Sequence, residues 1–260
     1  MNRALICGIN AYPQSPLQGC LNDVDSIAKL LVENFKFSPM RIVTLKDGDA
    51  TKDAILAYLK LMIQETEGGD HLVFSFSGHG SQVPDQDGDE SDGLDEIICC
   101  SGFDWTDDTY VKDDEIRALL GLLDPGATID IICDSCHSGT MERDATDRAK
   151  CIPYPVPLAP TFRAISPFLK ELEMPNVALW AGCKDTQTSA DAFIGGKHQG
   201  AMTWAFCNSL YPANLGDGSR EPIVRGKLIK RIGRLLGAKG YEQTPQLEAA
   251  DEMKNRKVFE

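Results

Sequence analysis

Two side chains stand out as able to do covalent chemistry together, His79 and Cys136. His79 lies in SGHGS (77–81), directly after the apolar run His71 to Phe76. Cys136 lies in DSCHSG (134–139), directly after Ile129 to Ile132. A cysteine is a nucleophile as its thiolate, and an imidazole within hydrogen-bond reach takes the thiol proton and later returns it to a leaving group. Gly78 and Gly80 let the main chain approach a substrate closely, and their amides, with that of Cys136, can hold an oxyanion. His137 is the weaker base. Consecutive side chains of extended backbone face opposite ways, which leaves it to hold its loop by hydrogen bonds.

Other chemistries are open to the same thiol. Cys133 and Cys136 form a CxxC, the spacing of a thiol redox centre or of half a zinc site, but no second CxxC or paired histidine motif completes four ligands. A catalytically silent binding or signalling module is a further alternative. The cysteines number nine, an odd count, in a chain that opens without an export signal. They read as reduced thiols, most of them small buried hydrophobes, Cys99 and Cys100 among them.

The elements that must position His79 and Cys136 follow from hydrophobic periodicity. Apolar runs predict strands at Ala4 to Ile9, Arg41 to Leu45, His71 to Phe76, Thr128 to Cys133 and Asn176 to Ala181, with a short one at Ile97 to Cys100. A helix capped by Asn22 or Asp23 runs to about Phe35. A second starts at a Thr51 cap, runs to about Glu67 and stops at Gly68 and Gly69. Helices also follow at Asp113 to Leu123, Ala201 to Tyr211 and Ile223 to Leu236, and 244–249 is an edge strand because its proline excludes the centre of a sheet. Strand and helix alternate, so the fold class is α/β, with one mostly parallel sheet covered by helices on both faces. The crevice beyond the carboxyl ends of such strands is where ligands bind, and both candidate groups fall there if their strands are neighbours. From 140 to 160 no period is visible, and this stretch reads as an extended connection.

The 39 acidic and 26 basic residues leave a formal charge of −13 over 260 residues. That excess repels nucleic acid and anionic membranes, both polyanions, and favours cationic substrates or metal cations. No stretch approaches the ~20 apolar residues of a spanning helix. The expectation is a soluble cytoplasmic protein.

Five stretches in order, LICGINAYP with LQGCLND, VFSFSGHGSQ, DGDESDGLDEIICC, IDIICDSCHSG and WAGCKDTQTSAD, resemble the caspase-like cysteine peptidases, specifically the metacaspase and prokaryotic caspase-homologue branch. The resemblance implies a caspase-like three-layer sandwich in one domain, 1–260, of a type I arrangement without a prodomain. Its large-subunit-like part is 1–139, its connecting loop 140–175 and its small-subunit-like part 176–260. It further implies an endopeptidase, mostly monomeric, with Cys136 as nucleophile, His79 as base and the Gly80 and Cys136 amides as oxyanion hole. Its substrates are proteins or peptides cut after arginine or lysine. The family's acidic pocket residues match Asp23 and Asp134. Such a carboxylate pair binds a guanidinium by charge-assisted bonds and repels aspartate. For Asp23, helix capping is the alternative.

Many relatives are activated by calcium, although the chemistry itself needs no cofactor. Asp85, Asp87, Asp89 and Glu96 fall at EF-hand-like positions, yet Glu90 stands where that loop needs glycine. The family's calcium residues match Asp95, Asp113 and Asp114. At a further acidic position this chain carries Arg143, between Glu142 and Asp144, so the set is incomplete. A solvated acidic loop is the alternative. Arg143, Arg148, Lys150 and Arg163 in the connection are candidate sites of self-cleavage.

Overall fold

Along the central strands buried apolar residues alternate between two faces, and each face needs its own cover of helices. The computed structural model describes residues 1–85, 94–136, 147–155, 174–183, 187, 189–211 and 223–259. Its elements, in chain order, begin with β1 (Arg3–Gly8), α1 (Cys20–Phe35), β2 (Ile42–Lys46), α2 (Lys52–Gln64), β3 (His71–Ser77), β4 (Gly80–Pro84), β5 (Leu94–Cys99), β6 (Tyr110–Lys112) and α3 (Asp113–Leu120). They continue with β7 (Thr128–Asp134), β8 (Arg148–Ala149), β9 (Val177–Ala181), β10 (Ala190–Ile194), β11 (Lys197–Gly200), α4 (Ala201–Leu210), α5 (Arg225–Ala238), β12 (Gln246–Ala249) and α6 (Asp251–Asn255).

A six-stranded sheet has the order β12-β9-β7-β3-β1-β2, parallel except for the edge strand β12. On one face Leu5, Cys7, Phe74, Phe76, Ile129 and Ile131 pack against Ile55, Leu59 and Met62 of α2 and Ile116 and Leu120 of α3. On the other, Ala4, Ile6, Val73, Ile132 and Trp180 meet Val24, Ile27 and Leu31 of α1, Phe206 of α4, and Leu228 and Ile232 of α5. Burying each of the larger side chains stabilises the fold by roughly 1.5–3 kcal/mol. The expected three-layer α/β architecture is therefore present.

Its details depart from expectation in three places. First, α1 starts at Cys20 behind Gly19, and no side chain caps it. The Cys20 amide donates instead to Asn10 Oδ1, 2.9 Å away on the preceding loop. Neither Asn22 nor Asp23 is a cap, and Asp23 sits in the first turn with its carboxylate buried. Second, the sheet is not the whole of the β-structure, because β4-β5-β6 and β11-β10-β8 form two further three-stranded sheets. No periodic pattern marks Ala190 to Gly200, where the chain nevertheless folds into a hairpin. Gly195 and Gly196 are the turn between β10 and β11, at φ +63° and +90°, where a side chain would be strained. Third, part of the connection at 140–160 has a fixed course, since Arg148–Ala149 pairs antiparallel with β10.

One buried polar cluster ties the layers together. Asp130 on β7 accepts from Arg225 Nε (2.8 Å) and Nη2 (2.5 Å) and from Trp180 Nε1 (2.7 Å). His71 Nε2 lies 2.9 Å from its carboxylate. Burial alone would raise the Asp130 pKa, but the Arg225 guanidinium overrides it and holds the carboxyl well below the usual range.

Candidate active site

The β3–β7 register pairs Ser77 with Asp134 at the last rung, so the SGHG and DSC loops leave the sheet side by side. Tyr12 holds the first loop. Its hydroxyl donates to Cys99 O (2.8 Å) and accepts from His79 N (3.1 Å), and its ring lies 4.6 Å from the imidazole. His79 Nε2 is 2.7 Å from Ser15 O. A carbonyl only accepts, so the proton is on Nε2 and the lone pair on Nδ1, which is buried without a hydrogen-bond partner. Burial lowers the imidazole pKa to about 4 and keeps the ring neutral.

Cys136 is 1% exposed. Its Sγ lies 2.8 Å from Cys183 Sγ and accepts from the Ser189 amide. Burial, and after it the contact with Cys183, keeps the thiol well above its ordinary pKa. The structure thus brings the two loops together but leaves the thiol turned to Cys183 and His79 Nδ1 without a partner. Cys133 stays on β7, and the sulfur beside Cys136 belongs to Cys183 rather than to its CxxC neighbour.

Between the loops lies the chain's own segment 148–152. The Lys150 carbonyl accepts from Gly80 N at 3.2 Å and Cys136 N at 3.1 Å, and the Lys150 amide donates to Ser189 O at 3.1 Å. Its ammonium enters a closed pocket, 2.8 Å from Ser77 Oγ, 3.1 Å from Asp23 Oδ2 and 3.4 Å from Asp134 Oδ2. The three groups that meet it are themselves held by hydrogen bonds. Asp134 accepts from Ser189 Oγ, Thr203 N and Thr203 Oγ1 at 2.5, 2.9 and 2.7 Å, while Asp23 accepts from Ser77 Oγ at 2.6 Å and from Gly200 N at 2.9 Å. Burial alone would lower the Lys150 pKa, yet Asp134 and Asp23 raise it well above the ordinary value. Burial likewise pushes Asp23 up to about 6 against the pull of Lys150.

Ser15, Ser77, Ser189, Gly200 and Thr203 escaped the sequence reading. Ser15 acts through its carbonyl, which any residue carries. Ser77 and Ser189 stood inside the quoted motifs without an assigned task.

Known proteins resemble this chain in sequence and in fold. A family model described as metacaspase, peptidase C14 domain, matches residues 2–143. A metacaspase-1A of Aspergillus fumigatus is 31% identical over 292 aligned positions, covering 95% of this chain and 68% of the relative. This chain belongs to the metacaspase family. Metacaspase-1 of Botryotinia fuckeliana is also 31% identical, over 99% of the chain and 70% of its own length. Among solved structures, a Geobacter sulfurreducens protein superposes with TM-score 0.69 at 25% identity, covering 99% of this chain and 98% of that one. Caspase-1 of Spodoptera frugiperda superposes with TM-score 0.59 at 11% identity, over 95% and 88% of the two chains, and shares the fold.

The acids matched to a calcium site are tied up differently in this metacaspase. Asp95 Oδ2 lies 2.6 Å from Lys112 Nζ, Asp114 Oδ1 2.8 Å from Arg117 Nη1, and Asp113 Oδ2 3.6 Å from Arg117 Nη2. Among the described residues, no three His, Cys, Asp or Glu side chains converge as metal ligands. A hard cation wants several free oxygens. Among the described residues these carboxylates face cationic side chains instead. Arg143 and Arg163, with Glu142 and Asp144, lie outside the described residues. Arg148 is exposed, and its guanidinium donates to Pro16 O. No helix among the described residues is long and apolar enough to cross a membrane.

Proposed function

We propose that this metacaspase is a cysteine endopeptidase cutting after lysine or arginine, and that the bond after Lys150 is its first substrate. The observation that carries this reading is the pose of Lys150, with its ammonium between two aspartates and its carbonyl oxygen on two amides. Ammonium and guanidinium both suit a pocket of paired carboxylates, and an acidic side chain is repelled.

Self-cleavage then proceeds in steps. The Cys136 thiol rotates from Cys183 towards the Lys150 carbonyl carbon and gives its proton to His79 Nδ1. As sulfur bonds to carbon, the carbonyl oxygen becomes an oxyanion held by the Gly80 and Cys136 amides. Loss of one such donor typically costs about 10²–10³ in rate. The imidazolium returns the proton to the Cys151 nitrogen, the peptide bond breaks, and a water activated by His79 Nδ1 releases the acyl group from sulfur. No step uses a cofactor. Until the cut, residues 148–152 fill the cleft and the chain is latent.

Incubation of the purified chain under reducing conditions tests this reading, with Cys136→Ala as control. The expected result is a new amino terminus at Cys151 in the parent only, followed by turnover of arginyl- and lysyl-coumarin peptides and not of the aspartyl one. An uncut chain without turnover overturns the reading. Preference for aspartate overturns the roles of Asp23 and Asp134.

A further inference from the structure

The chain does not leave the cleft after the Lys150 carbonyl. Cys151 bridges Gly80 in parallel, Ile152 N donates to Gly80 O at 3.0 Å, and Ser81 Oγ donates to Ile152 O at 2.5 Å. The next residues alternate, with Pro153 and Pro155 exposed and Ile152 and Tyr154 half-buried against the core on the α2 face. Proline has no amide proton, so the ladder cannot run on past Ile152. The next hold is a ring. Tyr154 packs edge-on against Trp105, with centroids 5.2 Å apart at 88°.

Trp105 is built to present that surface. It adopts φ +73°, a left-handed conformation rare for a bulky side chain, and strain of this kind persists only where the surroundings impose it. Asp104 supplies the constraint, accepting from Thr106 N at 3.0 Å, Thr106 Oγ1 at 2.6 Å and Thr109 Oγ1 at 3.0 Å. Phe103 backs the indole at 4.7 Å.

We infer that Trp105 forms a subsite for an aromatic side chain four residues beyond the cleaved bond, so that this metacaspase selects substrates on both sides of that bond. The inference rests on Lys150 lying as a substrate lies. Tyr154 occupies the subsite in the uncut chain, and an aromatic residue of another protein takes its place once the segment has left.

The test measures binding in a Cys136→Ala, Lys150→Ala chain, whose own segment has lost its anchor. Two fluorescein-labelled nonapeptides reproduce residues 147–155 with serine in place of the cysteine, one keeping the tyrosine and the other carrying alanine there. An edge-to-face ring pair predicts about fivefold tighter binding of the tyrosine peptide. Adding Trp105→Ala should bring the ratio to about one, and Trp105→Phe should preserve it. Equal affinities in the parent, whether measurable or below detection, overturn the inference, as does a ratio that survives Trp105→Ala. Coumarin turnover by the unsubstituted chain reports separately on the peptidase reading. Turnover with equal affinities sinks only the subsite, and a fivefold ratio without turnover sinks only the peptidase.

Discussion

Lys150 and Asp23 face each other out of reach of water, Nζ to Oδ2 at 3.1 Å, with side chains 0% and 2% exposed. Removing one member of a buried ion pair costs far more than the pair contributes, because the remaining charge is left uncompensated. We therefore expect Asp23→Asn to slow the appearance of the fragment cut after Lys150 at least about 100-fold. A rate within threefold of the parent would show that the carboxylate does not hold the lysine.

Gly200 leaves no room for a side chain. A Cβ there would come within 2.7 Å of Asp23 Oδ2 and still closer to Lys150 Nζ and Asp134 Oδ2. The Gly200→Ala chain should fold but exclude a basic side chain from the pocket, and both self-cleavage and turnover of arginyl peptides should fall below about 1% of the parent. Unchanged turnover with an unchanged melting temperature would place the basic side chain elsewhere.

The pocket also fixes a pH dependence. Asp23 grips a cation only when ionised, and its pKa of about 6 is the result of burial raising it and Lys150 pulling it down. As pH falls through about 6 the carboxyl gains a proton and the grip weakens. In an emptied pocket the pull of Lys150 is gone, so the acid limb for added substrates sits at or above that value. His79 stays neutral throughout, because burial lowers it to about 4. KM for an arginyl peptide should rise roughly tenfold between about pH 7 and pH 5, with kcat changing less. A limb near pH 4 would assign the dependence to His79.

Cys136 is buried and held as a thiol, so iodoacetamide should modify it slowly in the uncut chain. Lys150→Ala frees the segment that covers it, and mass spectrometry of the Cys136 peptide should show at least about tenfold faster alkylation. Equal rates would mean that the segment gives no protection.

Lys112 and Arg117 lie beside the carboxylates that match the family's calcium residues. Self-cleavage in calcium and in a chelator should agree within about twofold. Stimulation beyond about tenfold would require these ion pairs to open.

Much of this was legible in the sequence for a physical reason. Strands β1, β3, β7 and β9 are buried on both faces, so they write themselves as continuous apolar runs, and the end of each run announces where a loop leaves the sheet. His79 and Cys136 could be singled out because each sits in a short motif at such an end, whereas Asp23 and Asp134 stood out only through the family resemblance. What stayed hidden depends on groups that carry no pattern. β10 and β11 pair through backbone across two glycines, the Ser15 carbonyl is common to all residues, and the Cys136 to Cys183 contact spans 47 positions. Lys150 was one basic residue among four candidates until the register of β8 on β10 set its carbonyl between two amides.

The hairpin that receives β8 and the motifs around Cys136 belong to the same molecule as the lysine they hold, and this has a kinetic consequence. A cut made by a chain on itself is first order, with a half-life that does not change on dilution. On the proposed self-cleavage, the first event would be set as a timer is set, by an internal rate. Amplification would then fall to the cut chains, free to meet others.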